Sequence, residues 1–162
     1  MASERLDAAR KGRAMAERTE GSITIDAPPG KIMEVIADFE SYPEWANIKA
    51  VEVRERGPDG RASKVFYEIS AGPVSAKYTL AYTFDGDAGC SWTTVESSGA
   101  LKDMEGEYVL EPDGSSTKVT YRMSADLNIP GPGFLKRSLM AQGEKVITDT
   151  ALKGLKKRVE GE

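Results

Sequence analysis

From Ser22 the chain alternates, Ile23 and Ile25 against Thr24 and Asp26, with the period of two expected of a half-buried strand. Pro28 and Pro29 end that strand, and proline is tolerated in the first turn of a helix because the N–H groups there lack intrahelical partners. Ile32, Val35, Ile36 and Phe39 then recur at helical spacing with Lys31, Glu34 and Asp38 on the other side, which predicts an amphipathic helix. An aromatic and proline corner follows: Phe39, Tyr42, Pro43 and Trp45.

Beyond the corner, turn chemistry divides the chain into strands. Ile48 to Arg56 runs into Gly57-Pro58-Asp59-Gly60, Ser63 to Ala71 into Gly72-Pro73, and Val74 to Phe84 into Asp85-Gly86-Asp87. Ser91 to Glu96, Met104 to Glu111 and Thr117 to Leu127 follow, the last two joined by Pro112-Asp113-Gly114-Ser115. Hairpin-sized connections between consecutive strands predict an antiparallel meander. A final helix is expected from about Gly133 to Val159. Leu135, Leu139, Val146, Ile147, Thr150, Ala151, Leu155 and Val159 lie near one face of it, and Glu144, Lys145, Asp149 and Lys153 are among those on the wet side.

The more apolar parity of each strand defines an inner face. It carries Val51 and Val53; Val65, Tyr67 and Ile69; Tyr78, Leu80, Tyr82 and Phe84; Trp92 and Thr94; Met104, Gly106, Tyr108 and Leu110; and Val119, Tyr121, Met123 and Leu127. Five of the six tyrosines fall on it. Each joins a large apolar body to a hydroxyl that needs a partner when buried, so tyrosines here suit a cavity wall better than a solid aliphatic core. The same parity points Glu96 inward, where desolvation would raise its pKa; the alternative is that the chain has left regular pairing and Glu96 sits in solvent.

Composition narrows the chemistry. The 162 residues fit one domain, 40% hydrophobic residues can bury a core unaided, and residues 1–20 are expected to be a disordered extension before a domain at 21–160, with Met15 a second plausible start. With 22 basic and 26 acidic residues the net charge is -4 and no basic track invites nucleic acid. No apolar run is long enough for integral membrane association, and the lone Cys90 forms no intramolecular disulfide, which together suit a cytoplasmic protein. The chain has no histidine, so Ser-His and Cys-His pairs are excluded and the commonest metal ligand is missing. No metal and no cofactor is expected, and Cys90 reads as a small strand residue.

The segment SITIDAPPGKIMEVIADFESYPEW, the strand WTTVES and the closing helix TDTALKGLKKRVE resemble the START-like or SRPBCC superfamily, which includes polyketide cyclases, Bet v 1 allergens and coenzyme Q-binding proteins; the closing helix is particularly similar to actinobacterial members. The resemblance implies an α+β helix-grip fold: a curved antiparallel sheet of about seven strands wrapped around a long C-terminal helix, with two short helices after the first strand. It also implies a cavity for a lipophilic small molecule, such as a polyketide, an isoprenoid quinone or an acyl lipid, carried by a monomer or weak homodimer. The expected ligand-binding residues are Tyr67, Tyr78, Tyr82, Trp92, Met104, Tyr108, Tyr121, Met123 and Phe134. Phe134 follows Asn128-Ile129-Pro130-Gly131-Pro132-Gly133, a hinge-like composition, and acts either as a gate at the cavity mouth or as an anchor for the helix. A metal-independent polyketide aromatase/cyclase or dehydratase is the alternative, using tyrosine hydroxyls and Glu96. It is weakened by the outward parity of Arg122, and no catalytic residue of the family maps onto a matching motif. A protein-interaction domain without ligand is the third reading.

Overall fold

The structure, a computed structural model, describes residues 19–46, 48–71, 74–127 and 132–161. In chain order its elements are β1 (Thr19–Ile25), α1 (Pro29–Ala37), a 3-10 helix (Phe39–Glu44), β2 (Ala50–Arg56), β3 (Ala62–Ala71), β4 (Val74–Asp85), β5 (Gly89–Gly99), β6 (Leu101–Asp113), β7 (Ser116–Leu127) and α2 (Gly133–Glu160). β1 thus takes in Thr19 and Glu20, which the sequence placed in the N-terminal extension; residues 1–18 lie outside the described residues.

The strands form one sheet in the order β1-β7-β6-β5-β4-β3-β2, every neighbouring pair antiparallel. β2 to β7 are the expected meander, and β1 adds to the last strand. β1 and β2 therefore occupy opposite edges, and α1 with the 3-10 helix carries the chain between them. Ile32, Met33 and Ile36 of α1 are at most 1% exposed and share the core with Ile25, Phe39, Val65, Val119 and Leu155. Each such side chain contributes roughly 1.5–3 kcal/mol by leaving water.

α2 packs on β1, β7 and α1. Its buried stripe is Glu144, Thr148, Leu152, Leu155 and Val159, spaced by three and four residues as one helical face requires. This corrects the expected face: Val146 is 64% and Ile147 42% exposed, and Glu144, expected in solvent, is buried. The reason is a set of hydrogen bonds that composition does not reveal. Glu144 Oε1 accepts from Thr19 Oγ1 at 2.9 Å and Oε2 from the Ala125 N–H at 2.6 Å, so its carboxylate is desolvated with partners in place. Near the C-terminus of α2, Lys156 Nζ donates to the Thr24 carbonyl at 2.9 Å, and Glu160 Oε2 accepts the Asp26 N–H at 2.9 Å. Together these contacts hold the helix, from Glu144 to Glu160, along β1. Among the described residues, no helix is long and apolar enough to cross a membrane.

Candidate ligand cavity

Register brings the inward tyrosines together. Tyr67 of β3 lies opposite Tyr78 of β4, Tyr82 of β4 opposite Trp92 of β5, and Tyr108 of β6 opposite Tyr121 of β7. With Leu80 and Met104 they form the sheet wall of a cavity of about 180 Å³. The facing wall comes from the corner, through Tyr42, Trp45, Ala46 and Ile48, and from α2, through Val146, Ile147, Thr150 and Ala151. Val146 and Ile147 both line the cavity and reach solvent, which places its mouth beside α2. The second apolar stripe of α2 thus faces open space, one helical step away from the stripe packed on the sheet.

Two glycines make room for the tryptophans. Gly106 lies opposite Trp92, and a Cβ there would sit 2.6 Å from Trp92 Cζ2 and 2.6 Å from the Arg122 carbonyl oxygen. Gly154 of α2 does the same for Trp45, whose Cε3 would be 3.2 Å from an added Cβ. The rings then touch one another around the wall: Phe39 and Tyr82 centroids are 4.6 Å apart, Tyr82 and Trp92 5.8 Å, Trp92 and Tyr121 5.5 Å, and Tyr108 and Tyr121 4.9 Å. Tyr67 stacks on Tyr78 at 5.3 Å, and Tyr42 meets Trp45 edge-on at 5.1 Å.

Several polar atoms of this wall have no partner among the described residues. Tyr67 and Tyr82 share a hydrogen bond of 2.6 Å, and the Tyr42 hydroxyl donates to the Ile36 carbonyl. The hydroxyls of Tyr78, Tyr108 and Tyr121 bond to none of the described residues. The indole N–H groups of Trp45 and Trp92 are buried and have no acceptor among them either. Burial pushes the pKa of Tyr42, Tyr67, Tyr78, Tyr82, Tyr108 and Tyr121 upward, so all six phenols are neutral at physiological pH. For Tyr42 the nearby phenols of Tyr108, Tyr82 and Tyr121 add to that shift. Burial also pushes the Cys90 thiol up to about 12, which makes it an inert strand residue. No charged side chain among the described residues lines the cavity.

Of the nine expected site residues, Tyr67, Tyr78, Tyr82, Trp92, Met104, Tyr108 and Tyr121 meet on the wall. Met123 and Phe134 do not. Met123 shares the inward parity of Tyr121 on β7, a strand that packs in part against α2, but it is 1% exposed and belongs to the core rather than to the wall. Phe134 is 72% exposed at the start of α2 and is not among the residues lining the cavity. Asn128 to Gly131 lie outside the described residues. Glu96 is exposed, although β5 continues past it to Gly99. The register gives the cause: Leu80 faces Thr94 but Thr79 faces Glu96, so Val95 is an extra residue that turns Glu96 to the outer side, where Thr79 Oγ1 donates to it at 3.3 Å. Arg122 is on the outer face as its parity implies, paired with Glu20 and, at 3.4 Å, with Glu107.

The sequence matches the family described as polyketide cyclase / dehydrase and lipid transport over residues 16–160. The chain belongs to this polyketide cyclase/dehydrase and lipid transport family. Its fold is correspondingly that of several solved structures. A START superfamily protein from Mycobacterium smegmatis superposes with a TM-score of 0.76 at 22% identity, covering 90% of this chain and 98% of that one. The Zhui aromatase/cyclase from Streptomyces sp. R1128 gives 0.75 at 16% identity, over 88% and 93% of the two chains. A STAR-related lipid transfer protein from Xanthomonas axonopodis gives 0.64 at 19% identity, over 88% and 85%. Among proteins with curated descriptions, none matches. At these identities the likeness establishes the helix-grip architecture for this family member, and its chemistry has to be argued from the cavity.

Proposed function

We propose that this member of the polyketide cyclase/dehydrase and lipid transport family binds and carries a lipophilic small molecule in its aromatic cavity, as a single chain or weak homodimer in the cytoplasm. Candidate classes are a polyketide, an isoprenoid quinone and an acyl lipid. The observation that supports carriage is the wall itself: rings and aliphatic side chains around about 180 Å³, with every phenol held neutral by burial and no charged side chain among the described residues. Apolar area removed from water then supplies the affinity, at roughly 25 cal/mol per Å² before the costs of association. Native mass spectrometry against a panel of the three classes tests this reading. One molecule bound per chain for at least one class is expected, and unliganded protein throughout would refute it.

A second reading, a cyclase or dehydratase working through tyrosine hydroxyls, is favoured by one feature. In the Tyr67–Tyr82 pair at 2.6 Å one hydroxyl donates to the other, which leaves the acceptor's own proton available to polarise an enolisable carbonyl. Glu96 plays no part, because it faces away from the cavity. Under this reading Tyr67→Phe and Tyr82→Phe suppress turnover of a poly-β-ketone substrate while binding persists. Under carriage alone no product forms with either variant or with the parent.

A further inference from the structure

Resting on the ligand-binding reading above, we propose that the cavity selects a neutral ring bearing a hydrogen-bonding oxygen, held by the hydroxyls of Tyr78, Tyr108 and Tyr121, against carboxylates. These three phenols belong to wall residues and their hydroxyls bond to none of the described residues, whereas the unpaired indole nitrogens of Trp45 and Trp92 are fully buried and out of a ligand's reach. A phenol hydroxyl both donates and accepts, and one left without a partner in a desolvated space is costly, so a ligand oxygen arriving among the three satisfies what the protein leaves open.

Negative charge is selected against. A carboxylate entering this space loses its hydration and meets no cationic side chain among the described lining residues, whereas a ketone meets the same hydroxyls without an ion to desolvate. Neutrality of the wall persists across physiological pH, because burial raises the pKa of each of the three phenols. Size sets the remaining limit. A cavity of about 150 Å³ holds a benzene molecule, so the 180 Å³ here buries one substituted ring. Any longer substituent leaves through the mouth beside Val146 and Ile147.

The experiment uses three probes of one ring each: acetophenone, cumene as its shape-matched analogue without an acceptor, and benzoate. The chain's two tryptophans supply two indole N–H resonances, and titrations followed on them give the affinity. Acetophenone and cumene are expected to bind, with benzoate about tenfold weaker or worse. Tyr108→Phe and Tyr121→Phe should weaken acetophenone about three- to tenfold and leave cumene unchanged, one hydrogen bond being removed each time. A melting curve on each variant confirms that it is folded. Benzoate matching acetophenone, or acetophenone indifferent to both tyrosine changes, would overturn the selection while leaving the cavity reading intact. Failure of all three probes to bind would overturn the cavity reading as well.

Discussion

The hydroxyls of Tyr67 and Tyr82 meet at 2.6 Å although the residues lie on different strands and fifteen positions apart. Tyr67 faces Tyr78 in the ladder, so the bond runs diagonally across β3 and β4 and ties two wall residues together in a desolvated space. Each hydroxyl is the other's partner in that space, which makes the pair a measurable unit.

Tyr67→Phe and Tyr82→Phe should each lower stability by about 1 kcal/mol, since each leaves a buried hydroxyl without its partner. The double variant should cost less than the two singles together, because no orphan remains. Urea unfolding of the four proteins gives the coupling directly, and strict additivity would mean that the two hydroxyls are satisfied independently.

Gly106→Ala is expected to disturb the cavity from beneath. The new methyl would lie 2.6 Å from both Trp92 Cζ2 and the Arg122 carbonyl, and the backbone contact is one that a side chain cannot relieve by rotating. A loss of about 1–3 kcal/mol, with altered near-UV dichroism from Trp92, follows from overpacking at such a site. Unchanged stability and spectrum would show that the sheet has more room at β6 than the ladder implies.

Glu144 holds the Ala125 N–H and the Thr19 hydroxyl at 2.6 and 2.9 Å. Glu144→Ala should leave that amide buried and unpaired, at a cost of about 1–3 kcal/mol, while Glu144→Gln retains an acceptor and loses less. Hydrogen exchange of the Ala125 amide is the specific readout. It should accelerate beyond the global destabilisation in the alanine variant, and equal protection in both variants would show that the amide is held by something else.

Stability should be flat between about pH 6 and 8, where the chain has no histidine to titrate, and should fall from about pH 9 upward. The phenols and the Cys90 thiol have folded pKa values raised by burial, Cys90 to about 12, so above their unfolded values the unfolded chain releases protons that the folded chain keeps. By linkage that difference favours unfolding as pH rises toward the folded values. Urea midpoints at neutral pH and at about pH 10 test it, and a midpoint that holds or rises would contradict the burial of these groups.

How much was legible in the sequence varies by element for physical reasons. β1, α1 and the meander were readable because a period of two, a period of 3.6 and turn residues are local signals. So were the seven wall residues on β3 to β7, since parity assigns a face. Parity failed at Glu96 because a single bulged residue, Val95, inverts every side chain beyond it, and nothing in WTTVES marks a bulge. It misled for Met123 because a face is not a neighbourhood: the inner face of β7 carries both Tyr121, which lines the cavity, and Met123, which is buried in the core. For α2 itself two stripes exist, one packed and one facing the cavity, and the packed one contains Glu144, whose burial depends on partners that lie on β1 and β7.

The most direct measurement of the central claim is ligand uptake by the parent protein and by Ala151→Phe, read by native mass spectrometry with melting curves alongside. Ala151 is half-buried on the cavity side of α2, so the added ring enters the open space rather than the packed core. With acetophenone or a quinone headgroup as probe, the parent should take up one molecule per chain and Ala151→Phe should bind about tenfold less or not at all, at an unchanged or higher Tm. Equal uptake by the two proteins would place the bound molecule outside this cavity and contradict the account.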